Sequence, residues 1–190
     1  MFLPYVTEKT GRSSKPIDLP SRLLQDRIVY LGGAITPEGA DMIIMQLLWL
    51  NSDDSDKPID LYINSPGGCV YSGLAIRDVI YNISPKVNTI GVGMCASMGA
   101  YLLSSGTGER KTTENCRIMI HSVSTNHGGT YHDIEVDFME TKYTQDKLIH
   151  DIADFTNGKC SVEDIKNMTQ RDKYMSPKEA VEYGLIDKII

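Results

Sequence analysis

Runs of basic residues are absent from this chain of 190 residues. Its 19 lysines and arginines are outnumbered by 25 aspartates and glutamates, and the formal net charge is −6. An acidic chain without a basic segment has no general attraction for phosphate backbones or acidic lipids. We therefore expect neither a nucleic acid nor a membrane among its partners.

Paired cysteine motifs and metal-ligand motifs are also absent. The four cysteines are Cys69, Cys95, Cys116 and Cys160. None has CxxC spacing or a histidine at a zinc-ligand offset, and neither HDIE at 132–135 nor HDIAD at 150–154 is an HExxH motif. We predict reduced, mostly buried thiols and no metal site.

A secretory signal is missing as well, because MFLPYVTEKTGR at the start has neither a basic region nor a long apolar one. The length suits a single domain over residues 1–190. A composition of 41% hydrophobic and 23% charged residues is typical of a soluble globular protein. We predict a cytoplasmic location.

One stretch, residues 87–108, lacks charged side chains altogether. It is about as long as a membrane span, but polar residues such as Asn88 and several glycines make it too polar for hydrocarbon. We predict instead a buried strand over residues 87–92, a glycine-containing turn, and a helix over residues 98–104. Ser97 then lies at the junction of turn and helix.

Similar units of a strand followed by a helix run along the chain. The predicted strands cover residues 27–34, 59–64, 87–92 and 117–120, and the predicted helices follow Thr36 and cover residues 70–82, 98–104 and 132–155. Strands that alternate with helices are typical of a parallel β-sheet in an α/β fold.

Small residues follow two of these strands, in SPGG at 65–68 and CASMG at 95–99. Backbone N–H groups at such turns can stabilise an oxyanion, and Ser97 stands at a helix start. A serine nucleophile needs a base, and His121 follows the apolar strand RIMI, which carries it to the same sheet edge. A histidine bonded to backbone is the alternative interpretation. The choice of carboxylate partner stays open.

The segment GTGERKT at 106–112 differs from a phosphate-binding loop. Arg110 replaces the glycine that precedes the lysine, and the segment follows a helix instead of opening one. We interpret it as a surface turn and expect this chain to bind no ATP.

Four motifs occur together across the chain. They are YINSPGG at 62–68, ASMGAYLLSSG at 96–106, RIMIH at 117–121 and RDKYMSPKEAVEYGLID at 171–187. Their combination resembles the proteolytic subunits of the Clp protease family, and the similarity runs nearly end to end. The resemblance implies a crotonase-like α/β fold of repeated ββα units. It also implies that residues 1–17 form an axial pore segment and that about residues 122–158 form a projecting handle.

The same resemblance implies a serine endopeptidase and a role for each site residue. Ser97 is the expected nucleophile, His121 is its base, and Asp172 is the acid that the residue types alone leave open. The backbone N–H groups of Gly68 and Met98 are expected to form the oxyanion hole.

The resemblance further implies an assembly of two seven-membered rings stacked into a fourteen-mer. A separate AAA+ Clp unfoldase is expected to use ATP to feed it unfolded polypeptides, which are hydrolysed to short peptides. The chain itself would need no cofactor. A paralogue of the family in a mixed assembly is the alternative ring partner.

Three departures from the family pattern bear on function. Residues 122–126 read SVSTN where a Gln-Pro and a Gly-Gly are usual, which bears on peptide specificity. Gln170 replaces a common acidic residue before Arg171, so an ion pair between rings would be lost. Cys95 stands close to Ser97, either as a packed small residue or as a thiol that makes activity sensitive to thiol reagents.

Two other functions fit parts of the sequence. One is a poorly active or dependent paralogue that works in a mixed assembly. The substitutions at residues 122–126 keep it open, whereas the intact Ser97, His121 and Asp172 argue against a subunit without catalytic activity. The other is a crotonase-type acyl-CoA enzyme, which would share the fold and the oxyanion hole but would need neither Ser97 nor His121.

Overall fold

The computed structural model describes residues 4–10, 13–126 and 128–190. His127 lies outside these residues. In chain order the helices and strands are β1 (Tyr5–Thr10), β2 (Ser13–Asp18), α1 (Leu19–Gln25), β3 (Ile28–Gly32), α2 (Pro37–Asp53), β4 (Ile59–Ser65), α3 (Val70–Asn82), β5 (Val87–Ala96), α4 (Met98–Ser104), β6 (Arg110–Thr112), β7 (Arg117–Ile120), α5 (Tyr131–Phe155), α6 (Val162–Met168), β8 (Lys173–Met175), α7 (Pro177–Glu182) and β9 (Lys188–Ile189).

A parallel sheet forms the centre of the molecule. Strands β3, β4, β5, β6 and β9 lie side by side in that order and run parallel. Strand β7 pairs with the far end of β5, also parallel, and the short β8 pairs with β7 in antiparallel orientation. The prediction of an α/β fold with a parallel sheet is confirmed.

The core lies between this sheet and the helices packed on it. Its largest fully buried side chains include Leu47 and Leu50 of α2, Leu61 and Ile63 of β4, Ile76 and Ile80 of α3, and Leu102 and Leu103 of α4. Complete burial of each such side chain stabilises the fold by about 1.5–3 kcal/mol before conformational entropy is subtracted. The uncharged stretch over residues 87–108 supplies β5 and α4, so its lack of charge reflects burial in this core.

Strand β5 is longer than the predicted strand over residues 87–92, because it changes partner along its length. Residues 89–91 pair with β6, whereas residues 94–96 pair with β7. Gly93 lies between the two pairings with a φ of 65°, a left-handed conformation that glycine adopts readily. The predicted turn is therefore wrong, and the strand continues to the residue before Ser97.

The prediction of a surface turn over residues 106–112 is wrong at its end, since residues 110–112 form β6. Arg110 is buried, and its guanidinium donates to the carboxylate of Asp187 and to carbonyl oxygens at the ends of α4 and α5. Burial raises the pKa of Asp187, but hydrogen bonds from Arg110 and its positive charge outweigh burial and hold that pKa below the ordinary value. The guanidinium of Arg110 thus connects β6 to the ends of α4 and α5 and to Asp187.

Replacing Asp187 by asparagine should lower the apparent melting temperature by about 2–4 °C near neutral pH, because an amide leaves the charge of Arg110 uncompensated. The lowered pKa means that the ion pair stabilises the fold fully above the ordinary value of 3.8 and is lost as the pH falls below it. Thermal unfolding near neutral pH and at about pH 3 measures the difference. Asp56→Asn, at an exposed loop, is the control. An equal difference at both pH values would contradict this account.

Helix α5 extends over 25 residues and exposes apolar side chains along its first half. These are Tyr131, Ile134, Val136, Phe138, Met139 and Tyr143. Its last turns join the core through Ile149, Ile152 and Phe155. Of the helices in the described ranges, none combines the length and the apolar character that crossing a membrane requires.

Candidate active site

Ser97 lies directly before α4, where the helix was predicted to begin, but strand β5 and not a turn precedes it. Its φ of 55° and ψ of −124° are rare for a residue with a side chain, so the junction is strained. The Ser97 N–H donates to the carbonyl of Met119 at 2.8 Å, and its own carbonyl accepts from the N–H of Tyr101 at 3.0 Å. Gly67 packs so closely that a Cβ there would lie 2.6 Å from the Cβ of Ser97. This sharp turn from strand to helix presents the serine hydroxyl at the sheet edge.

His121 directly follows β7 and reaches Ser97 through the pairing of two strands. Ala96 lies opposite Met119 in the ladder between β5 and β7, so both strands end at the same place. The Nε2 atom of His121 lies 2.9 Å from Oγ of Ser97, which is within reach for proton transfer. The imidazole therefore contacts the hydroxyl, and the alternative of a histidine bonded only to backbone does not hold.

Asp172 completes a line of three side chains. It precedes β8, and the antiparallel pairing of β8 with β7 sets Lys173 opposite Ile120. This register brings Oδ1 of Asp172 to 3.4 Å from Nδ1 of His121, on the side of the ring away from Ser97. The carboxylate side chain is 58% exposed, so solvent reaches this contact.

Two other aspartates near the end of the chain have different partners. The carboxylate of Asp164 accepts from the hydroxyl and N–H of Ser161 and caps α6. Asp187 is paired with Arg110. Residue types alone could not distinguish these carboxylates from Asp172, because only the short strand β8 determines which of them meets the imidazole.

Two backbone N–H groups lie beside the same turn. A Cβ on Gly67 would lie 3.0 Å from the nitrogen of Met98, which shows how closely the SPGG segment approaches the start of α4. Gly68 follows with a φ of 152° and packs against the backbone of Ile35, leaving no space for a side chain. Within the described ranges, neither the Gly68 nor the Met98 N–H donates to a protein acceptor. Both donors are therefore available to a developing negative charge.

A small recess of about 30 Å³ opens beside Ser97. Its lining consists of Ser97, Met98, Tyr101, Ile120, His121, Gln145, Leu148, Ile149, Ile152 and Thr169. Most of these side chains are apolar, and the hydroxyl of Tyr101 is engaged by Asp151 at 2.7 Å. The recess suits a small apolar group next to Ser97.

Comparison with known proteins assigns the chain to a family. The model of the Clp protease family matches residues 11–190. ATP-dependent Clp protease proteolytic subunit 1 of Prochlorococcus marinus (strain MIT 9312) is 46% identical over 190 residues, which is 100% of this chain and 96% of that protein. Proteolytic subunit 2 of Parasynechococcus marenigrum (strain WH8102) is 45% identical over 190 residues, which is 100% of this chain and 95% of that protein.

The chain belongs to the Clp protease family. It is a proteolytic subunit and a serine-type endopeptidase, as the resemblance of its motifs predicted. The match favours this function over a crotonase-type acyl-CoA enzyme, which shares only the general architecture.

Cys95 of this Clp protease subunit is fully buried two residues before Ser97. Its sulfur lies 3.9 Å from Sγ of Cys116, and its thiol donates to the carbonyl of Ile63 at 3.3 Å. The hydrogen bond with Cys116 and burial both raise the pKa of Cys95, so the reactive thiolate is scarce. The structure thus places Cys95 as a packed small residue.

Cys69 differs from the three buried cysteines because it is partly exposed. It directly follows Gly68 and precedes α3. Hydrogen bonds from the side chain and the N–H of Ser72 lower the pKa of its thiol, which favours the nucleophilic thiolate. Nearness to Ser97 in the sequence pointed to Cys95, because the partial exposure of Cys69 depends on the fold.

We expect N-ethylmaleimide to inhibit this protease through Cys69. The adduct stands next to the Gly68 N–H, so most peptidase activity should be lost, whereas Cys69→Ala should remain active in the presence of the reagent. Peptide mapping by mass spectrometry identifies the modified cysteines, and Cys160→Ala is the matched control that should stay sensitive. Modification of Cys95 in the folded protein, or inhibition of Cys69→Ala, would contradict the prediction.

Proposed function

We propose that Ser97, His121 and Asp172 form the catalytic triad of this endopeptidase. The supporting observation is the 2.9 Å contact between Nε2 of His121 and Oγ of Ser97 at a strained strand-to-helix turn. His121 removes the proton of the hydroxyl as Oγ attacks the peptide carbonyl, and it later gives the proton to the departing amine. Asp172 at Nδ1 holds the imidazole in the tautomer that leaves Nε2 free to accept.

The tetrahedral intermediate carries a negative oxygen, and the N–H groups of Gly68 and Met98 are its proposed donors. Both donors are fixed by the close packing of Gly67 on the turn around Ser97, so they need no reorganisation during the reaction. Collapse of the intermediate leaves an acyl group on Ser97. A water activated by His121 then attacks the ester and releases the second product. The proposed chemistry uses protein groups alone, without a cofactor.

The recess beside Ser97 is the proposed site for the substrate side chain that precedes the cleaved bond. Its walls from Met98, Ile149 and Ile152 are apolar, so short apolar side chains are preferred there. Charged side chains would lose their hydration without finding an opposite charge among these lining residues.

The proposed assembly consists of two seven-membered rings stacked into a fourteen-mer. The exposed apolar side chains along the first half of α5 support this, since such a surface on a projecting handle needs to be covered. The antiparallel hairpin of β1 and β2 lies in the segment proposed to line the axial pore. An ATP-dependent Clp unfoldase is the proposed source of unfolded polypeptide for the enclosed chamber, and the cytoplasm is the proposed location.

A mixed assembly with a paralogue is the second candidate, and the Gln170 region favours it. The amide of Gln170 donates to Asn167 in its own chain at 3.0 Å. Arg171 is exposed and forms no ion pair with the described residues. Pairing between rings then lacks one charged contact. Native mass spectrometry of the purified chain distinguishes a fourteen-mer from single rings.

Replacing Ser97 by alanine should abolish cleavage of a fluorogenic peptide, because no other hydroxyl replaces Oγ beside His121. The number of subunits in the assembly, measured by native mass spectrometry, should be unchanged, since the substitution removes only one hydroxyl at the site. Ser105→Ala is the matched control, as Ser105 lies at the end of the same helix and donates to Leu102 at 2.9 Å. Turnover at the wild-type rate in Ser97→Ala would contradict the triad.

Replacing Asp172 by asparagine should lower kcat by roughly 10³-fold or more, because the amide favours the wrong tautomer of His121. Steady-state kinetics on the same peptide measures the change. Asp164→Asn is the control, since that carboxylate caps α6 and should leave kcat near the wild-type value. Unchanged kinetics in Asp172→Asn would mean that another residue is the acidic partner of His121.

A further inference from the structure

The two residues that follow His121 are each held by one hydrogen bond. The hydroxyl of Ser122 donates to the carbonyl of Thr169 at 2.7 Å. The N–H of Val123 donates to Oε1 of Gln145 at 2.7 Å. Both residues belong to SVSTN at residues 122–126, which departs from the usual family pattern. Hydrogen bonds within the same chain therefore hold the start of this segment.

The Ser122 contact joins the two segments that carry His121 and Asp172. Thr169 lies three residues before Asp172 and ends α6. It is almost fully buried, and both its N–H and its hydroxyl donate to the carbonyl of Ile165, at 2.9 Å and 2.8 Å. The acceptor of the Ser122 hydroxyl is therefore a fixed point of the fold.

The Gln145 contact holds the same segment from a third direction. Gln145 lies on α5, among the residues that line the recess beside Ser97. The N–H of Val123 requires an acceptor, so the carboxamide must direct its oxygen toward that backbone. Helix α5 is anchored near this point by buried Ile149 and Ile152.

His121 needs such support because β7 ends at Ile120. The imidazole must remain 2.9 Å from Ser97 on one side and 3.4 Å from Asp172 on the other. Displacement of a catalytic group by about 1 Å can cost roughly 100-fold in rate.

We propose that Ser122 and Gln145 are positioning residues, which fix the backbone after His121 and thereby hold the imidazole between Ser97 and Asp172. The proposal rests on the triad proposed above. It assigns a role to two residues that act on His121 through the backbone that follows it.

The test compares Ser122→Ala and Gln145→Met with variants that keep each hydrogen bond. Ser122→Thr retains a hydroxyl, and Gln145→Glu retains an acceptor oxygen for Val123. In the assembled protein, each disruptive variant should lower kcat roughly tenfold, and each conservative variant should recover most of that loss. KM should change little in Ser122→Ala, because Ser122 is not among the residues that line the recess.

Matched controls come from helix α2. Ser52 donates its hydroxyl to the carbonyl of Trp49 at 2.9 Å, and Gln46 donates to Met42 at 3.1 Å, both far from the site in sequence. Ser52→Ala removes a bond from a hydroxyl to a carbonyl, like that of Ser122. Gln46→Met removes a glutamine bond in which the amide donates, whereas Gln145 accepts. Both control variants should leave kcat unchanged.

Labelling with diisopropyl fluorophosphate separates positioning from a structural defect. A misplaced His121 slows the reaction of Ser97 with the reagent but still allows every chain to be labelled at completion. Partial unfolding instead lowers the final number of labelled sites. We expect full labelling of both disruptive variants, at rates reduced by about the same factor as kcat.

Three results would overturn the positioning role. The first is a wild-type kcat in both Ser122→Ala and Gln145→Met while Ser97→Ala is inactive. That result would contradict the positioning role but not the proposed triad. The second is a loss of kcat matched by a loss of labelled sites. The third is activity in Ser97→Ala, which removes the proposed function together with this inference.

Discussion

The site depends on the pairing between the last residues of β5 and strand β7. Ala96 lies opposite Met119, and the N–H of Ser97 donates to the Met119 carbonyl, so the two strand ends are held in register. Ser97 therefore leaves one strand where His121 leaves the other. A short ladder in a buried sheet thus converts two residues that are distant in sequence into a hydrogen-bonded pair. The same burial explains why residues 87–108 carry no charge.

Part of this arrangement could be predicted from the sequence. Parallel strands end at a common sheet edge, so an apolar strand followed by Ser97 and another followed by His121 predicted the meeting of the two side chains. Asp172 was beyond such reasoning, because β8 has only three residues and no hydrophobic periodicity. Only the resemblance to a family supplied it. The prediction of a surface position for Arg110 was wrong because arginine side chains are mostly exposed in proteins. Its partner Asp187 is also remote in sequence, so the sequence did not indicate the pair.

The structure shows which contacts are made by the residues that depart from the family pattern. Ser122 and Val123 are hydrogen-bonded to Thr169 and Gln145, which ties the segment after the imidazole to α6 and α5 of the same chain. Cys95 fills space in the core, whereas Cys69 is partly exposed, has a lowered thiol pKa and lies beside a proposed oxyanion donor. Sequence alone could not make these distinctions, since each depends on contacts between segments that only the fold brings together.

We propose Ser97 as the nucleophile and His121 as the base that activates it. Reaction of the assembled protein with diisopropyl fluorophosphate, followed by peptide mapping by mass spectrometry, probes both roles at once. We expect a phosphoryl adduct on Ser97 in every chain, and no adduct in His121→Ala under the same conditions. An adduct on a different serine, or equal labelling of Ser97 without His121, would contradict it.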